Sequence, residues 1–362
     1  MSKISNAHSI RLLLSNGLLV LGMLSASSLV MAQKSRVEAM EPVHDAQGNT
    51  DQKIQHRLSP EASLQSPFSV RSAAVFSRAP TAGSTSAAAS PITYHGGPVM
   101  GSVSKVVLIW YGNWNQNNGT DNAAGQQIIR DAIWGMAQQD PVNNYSGITT
   151  GYSSSLGQYT QSTGSAVTQA SSATLVEYTQ AAKSTYGNLT LSDASVFSLV
   201  KAFAGTGDPN AIYLVLSSSE IKESSGFLSK YCGWHSFGTI GANKVKYGFI
   251  GNPNRNLAAC SVQSVSPNGN PGVDAMVSVI AHELIETVSD PLLNAWYNSA
   301  GSENSDMCAW TFGSNLRQTG TGAYWNVTLP SPNGAPARNY LLQRQLGVKD
   351  SKCYINATGA VQ

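Results

Sequence analysis

DAMVSVIAHELIETVSDP, residues 274–291, is the stretch from which fold and chemistry are best read together. Asp274 is suited to cap a helix N-terminus and Pro291 to stop one, so the run reads as one helix. Residues four apart share a helix face, which puts the side chains of His282 and Glu286 within reach of one ion. Glu283 is turned by about 100° from His282. That direction lets its carboxylate meet a water on the ion without ligating the ion, the general-base position of a His-Glu-x-x-His pattern. A carboxylate in place of the second histidine adds an oxygen and a negative charge. Zinc accepts it and is the first expectation, with calcium the alternative, and calcium or manganese becomes more plausible than with two imidazoles.

A solvated surface helix carrying the same letters is the bland alternative. Ala281, Leu284, Ile285 and Val288 argue against it, since they form an apolar stripe opposite His282 and Glu286. Met276, Val279 and Ile280 make the first half of the helix largely buried as well. A catalytic ion with three protein ligands and one open position needs a further donor. Asp306 is the first candidate and Glu303 the second, both in the segment after the helix. Asp290 lies nearer but sits directly before Pro291, where it is expected to end the helix.

The N-terminus sets the expected compartment. Lys3 and Arg11 precede an apolar run from Leu12 that ends in Val30-Met31-Ala32, a small-residue cleavage pattern. Residues 1–32 therefore read as a signal peptide, and no later run has the length of a membrane span. Residues 33–91 are polar, irregular and poor in aromatics, which reads as a disordered linker or propeptide. Residues 92–362 form the expected folded domain. Removing Lys3 and Arg11 from 22 basic residues leaves 20, against 20 acidic ones. A neutral mature chain offers no electrostatic case for nucleic acid. Cys232, Cys260, Cys308 and Cys353 suggest two disulfides in an exported chain. Of the three connectivities, Cys232–Cys260 and Cys308–Cys353 are preferred because neighbours pair most readily.

Within the domain, KVVLIWY at 105–111 and AIYLVL at 211–216 read as buried strands. A third strand runs from Val245, with Tyr247 and Phe249 alternating. Ala124 to Gln138 carries apolar residues at helical spacing, and Ser192 or Asp193 caps a second helix through Phe203. Residues 339–347 read as a late strand or helix. The mixed order predicts an α/β (mixed α+β) single domain, with a mixed sheet and the His282 helix packed on it. There is no Gly-x-Ser-x-Gly elbow and no Gly-x-Gly-x-x-Gly before a helix, which disfavours a serine hydrolase and a dinucleotide site.

Short blocks carry a resemblance across this domain. They are Tyr94-His95-Gly96-Gly97-Pro98, Ile109-Trp110-Tyr111-Gly112, Cys232-Gly233-Trp234-His235, the run Ser266 to Asp274, and Asn339-Tyr340-Leu341-Leu342-Gln343 before Cys353. In this order they resemble the exordium or phosphate-induced protein family of plant cell walls and bacteria. That resemblance implies an extracellular protein associated with walls. Plant members usually lack the His-Glu pair. Bacterial relatives commonly carry a His-Glu-x-x-Glu helix followed by an acidic-x-x-Asp-x-Cys segment, which Glu303, Asp306 and Cys308 match here. The helix also resembles that of zinc metallopeptidases, a zincin-like active-site helix.

Two readings follow. In one, a divalent ion on His282, Glu286 and Asp306 or Glu303 serves a secreted peptidase-like hydrolase, with Glu283 as base and His235 assisting catalysis. In the other, the chain is a non-catalytic extracellular module with a structural ion or none. The expected partner is an extracellular protein or peptide, or a cell-wall polymer. His95, Tyr297 and Tyr324 are weaker candidates for contacts to substrate, and Trp296 and Trp310 for a dry shell around the ligands.

Overall fold

Apolar runs with no polar alternation belong to strands covered on both faces, and three of them build the centre of this molecule. The structure is a computed structural model. It describes residues 54–57, 92–101, 103–137, 139–140, 145–146, 159–162, 174–180, 189–314 and 316–355. The expected signal peptide at 1–32, and the expected linker or propeptide at 33–91 apart from 54–57, lie outside the described residues.

The principal elements are β1 (Ile54–Arg57), β2 (Lys105–Tyr111), α1 (Ala123–Ala137), β3 (Thr174–Gln180) and α2 (Asp193–Ala204). They continue with β4 (Ala211–Ser217), β5 (Tyr231–Ile240), β6 (Asn243–Gly251) and α3 (Pro271–Ser289). The strands form one mixed sheet in the order β1-β5-β6-β4-β2-β3. From β6 to β3 neighbouring strands are parallel, while β5 runs antiparallel to both β6 and β1.

Alternation along the strands divides the core in two. Val106, Leu108 and Trp110 face one side with Ile212, Leu214 and Leu216, and there they meet α1 and α3. Val107, Ile109 and Tyr111 face the other with Tyr213 and Val215, packing on α2 through Val196, Phe197 and Val200. Successive crossover helices therefore lie on opposite faces, and the strand order reverses between β2 and β4. No helix among the described residues is long and apolar enough to cross a membrane.

α3 is buried almost all round, from Gly272 to Ser289 with Asp274 alone excepted. Its polar side is thus interior rather than solvated. The expected cap needs correction. Asn270, not Asp274, caps α3: its side chain accepts from Val273 N, and Pro271 occupies the first turn. A proline there has its φ preset and lacks an N–H that would have no partner, so the start moves upstream. Asp274 instead accepts from Asn268 N at 3.0 Å and Nδ2 at 2.7 Å. Asn270 is itself fixed by Thr120 Oγ1, which donates to its Oδ1 at 2.7 Å.

Strand β5 was not foreseen, because Gly233, His235, Ser236 and Gly238 break its apolar run. Its glycines have a packing reason. A Cβ on Gly233 would stand 2.6 Å from Val279 Cγ1, so α3 lies directly over β5 at that point. His235, two residues along the same face, then points under the helix. The late segment forms two short strands, Arg338–Tyr340 and Gln345–Gly347, where one strand or helix was expected.

Candidate metal centre

α3 supplies His282, Glu283 and Glu286, all 0 % exposed. The chain leaves α3 through Asp290, whose Oδ1 accepts from Asn294 N at 2.6 Å and Ala295 N at 2.7 Å. These bonds reverse the chain, and the segment 303–306 returns to lie along the helix. Ser305 Oγ donates to His282 O at 3.3 Å, Asn304 Nδ2 to Ser289 Oγ at 3.1 Å, and Asp306 N to Glu286 Oε1 at 3.0 Å. β5 brings His235 from the sheet. Disulfides hold both flanks: Cys232–Cys260 begins three residues before His235, and Cys308–Cys353 lies two residues after Asp306.

Two sets of ligand-type atoms result. His282 Nε2 lies 3.1 Å from Glu286 Oε1 and 3.6 Å from Asp306 Oδ1. His235 Nε2 lies 2.7 Å from Glu303 Oε2 and 3.7 Å from Glu286 Oε2. Ligand atoms of His282, Glu286 and Asp306 fall within 4.8 Å of one another, and so do those of His235, Glu283 and Glu286. Only Asp306 reaches the surface, with a side chain 15 % exposed.

The electrostatics follow from this burial. Burial opposes a charged His282, but Glu286 and Asp306 outweigh it and raise the imidazole to about 10. Burial and the neighbouring His282 lower His235 to about 3, keeping it neutral. Burial raises Glu286 to about 7, with His282 resisting the rise. Glu303 is pushed well above the carboxylate range by burial and by Glu286, Asp290 and Asp306. Asp290 rises to about 6 by burial, against its bonds from Ala295 and Asn294. Asp290 Oδ2 and Glu303 Oε1 are both buried and accept no hydrogen bond, and the charge of Asp290 adds to the rise of Glu303. Glu286 Oε2 accepts no hydrogen bond. Carboxylates crowded in a dry interior call for a cation or for protons.

Of the other candidates, Tyr297 lies near the cluster, its phenol raised by burial and by the charge of Asp290. His95 is exposed and stacks on Tyr297 with ring centroids 3.7 Å apart. Tyr324 pairs with Gln263 through its backbone. Trp296 packs edge-on against Tyr159 and donates to Thr160 O at 2.9 Å. Trp310 packs beside Val262, Phe312 and Leu341. Sequence reasoning missed His235 as a ligand-type group and Asp290 as a member of the cluster. Period-two alternation from Gly233 was the available signal for His235; for Asp290, the adjacent proline pointed to capping alone.

Fold and site together define an α/β protein with a buried histidine–carboxylate cluster of metal-ligand type. Residues 92–356 match the family described as the phosphate-induced protein 1 conserved region, and the chain belongs to that family. It is 28% identical over 284 residues to Protein EXORDIUM-like 3 of Arabidopsis thaliana, covering 70% of this chain and 79% of that protein. Protein EXORDIUM-like 5 of the same plant is 28% identical over 285 residues, covering 70% and 74%. Protein EXORDIUM is 26% identical over 295 residues, covering 72% and 88%. No solved structure matches the chain.

Proposed function

We propose that this chain is an exported metal-dependent hydrolase whose ion is held by His282, Glu286 and Asp306. The observation that carries the reading is the convergence of His282 Nε2, Glu286 Oε1 and Asp306 Oδ1 at 3.1 and 3.6 Å in a buried site. One imidazole and two carboxylates suit zinc or manganese better than calcium, which prefers an all-oxygen shell. A divalent ion there supplies a Lewis acid that acidifies a water. Glu283, beside the ligands on the same helix, takes the water's proton. His235, held neutral and anchored on Glu303, keeps the neighbouring carboxylates in place. The leader and the two disulfides support export.

Amide bonds of peptides are the first substrate class to test. With peptide libraries, wild type should cleave in a chelator-sensitive way. Glu283→Gln keeps the shape but cannot accept the proton, so turnover should fall by ~10²–10⁴-fold while the ion stays bound. Chelator-sensitive cleavage that survives this substitution unchanged would refute the assignment of Glu283.

A second reading is a non-catalytic extracellular module with a structural ion. Burial favours it, since His282 and Glu286 are 0 % exposed and structural sites are closed. In that case Glu283→Gln is silent and no peptide or glycan is cleaved.

A further inference from the structure

We propose that the centre holds two divalent ions rather than one, with Glu286 bridging them through its two carboxylate oxygens. The inference rests on the metal-site reading above and extends it with a second ion on His235, Glu303 and Glu286 Oε2.

Three observations lead there. The two imidazoles fall in separate groups of ligand-type atoms, and Glu286 belongs to both. The surroundings of the imidazoles are alike: His282 Nε2 has carboxylate oxygens at 3.1 and 3.6 Å, and His235 Nε2 at 2.7 and 3.7 Å. Ligands about 2.0–2.1 Å from a tetrahedral zinc stand roughly 3.3 Å apart, and both sets straddle that spacing. The oxygen that Glu286 turns toward His235, Oε2, accepts no hydrogen bond. Its Oε1 accepts from Asp306 N at 3.0 Å and keeps a lone pair for the first ion.

Charge points the same way. Glu283, Glu286 and Glu303 are fully buried and the Asp306 side chain is 15 % exposed, whereas Asp290 has at least its Oδ1 met by the backbone N–H groups of Asn294 and Ala295. One divalent ion offsets two of the first four carboxylates; two ions offset all of them with both imidazoles neutral. Glu283 has an oxygen within 4.8 Å of ligand atoms of His235 and Glu286, so it borders the second position and remains the proton acceptor. Paired ions about 3.5–4 Å apart clamp both the attacking and the leaving oxygen of a displacement.

The test uses the full chain, stripped with chelator and reloaded with Mn(II). Wild type should saturate at two Mn(II) per chain and give the multiline EPR spectrum of an exchange-coupled pair. His235→Ala and Glu303→Gln should each retain one ion and lose the coupled spectrum, whereas Glu283→Gln should keep two. Saturation at one ion, or a second ion that is uncoupled and indifferent to His235→Ala, would overturn the pair and leave the single-ion reading standing. No bound ion would remove both. The wild-type spectrum decides the question even where a variant fails to fold.

Discussion

The two ends of α3 both bury polar side chains, and they do so by opposite means. At its start, Asp121 is fully enclosed, yet every oxygen meets a donor. Ser219 N and Asn252 Nδ2 reach Oδ1 at 3.0 and 2.7 Å, while Asn118 Nδ2 reaches Oδ2 at 2.7 Å and Ser219 Oγ also donates to it. Asn252 Nδ2 goes on to Thr120 Oγ1 at 2.9 Å, and Thr120 to the capping Asn270. Ser219 and Asn252, just past the ends of β4 and β6, tie this knot to the C-terminal edge of the sheet. Twelve residues along the helix, carboxylates face carboxylates and one oxygen of Glu286 accepts nothing. Satisfied networks fix a fold; a cluster short of donors points to a ligand that supplies positive charge.

That contrast can be broken at either end. Asp121→Ala strips the acceptor from several buried donors at once. The expected loss is roughly 3 kcal/mol in denaturant unfolding, the same with chelator or with metal. A loss that depends on metal would join the two ends into one site. At the other end the sign should reverse. Glu303 contributes stability that is present while its carboxyl is protonated and lost as pH rises through its elevated titration range. Glu303→Gln replaces that burden with an amide able to donate to Asp290. In chelated protein the variant should match wild type near pH 4 and exceed it by on the order of 1 kcal/mol at pH 8. With metal present the order should invert. Destabilisation of the chelated variant at pH 8 would show that Glu303 is an ordinary structural acceptor.

Much of this was legible in the sequence. The strands at 105–111 and 211–217 announce themselves as unbroken apolar runs, because both faces are covered. The helix carrying His282 and Glu286 is bounded by residues whose backbone chemistry is local, a proline at each end among them. Asp306 and Glu303 could be named as nearby donors. Which imidazole each would face could not, because that depends on the turn at Asp290 and on the register of β5. His235 was the hardest residue to place. Its position under α3 follows from Gly233 admitting Val279, a contact between residues 46 apart in the chain.

The central claim is that buried carboxylates around Glu286 are balanced by divalent cations, and thermal unfolding of chelator-stripped protein titrated with Zn(II) tests it most directly. Binding at about 1,000 times the dissociation constant adds about 4 kcal/mol, which for a domain of this size raises Tm by on the order of 10 °C. The account predicts such a saturable rise in wild type and its loss in Glu286→Ala. An unchanged Tm in wild type at saturating Zn(II), with Mn(II) and Ca(II) equally without effect, would contradict it.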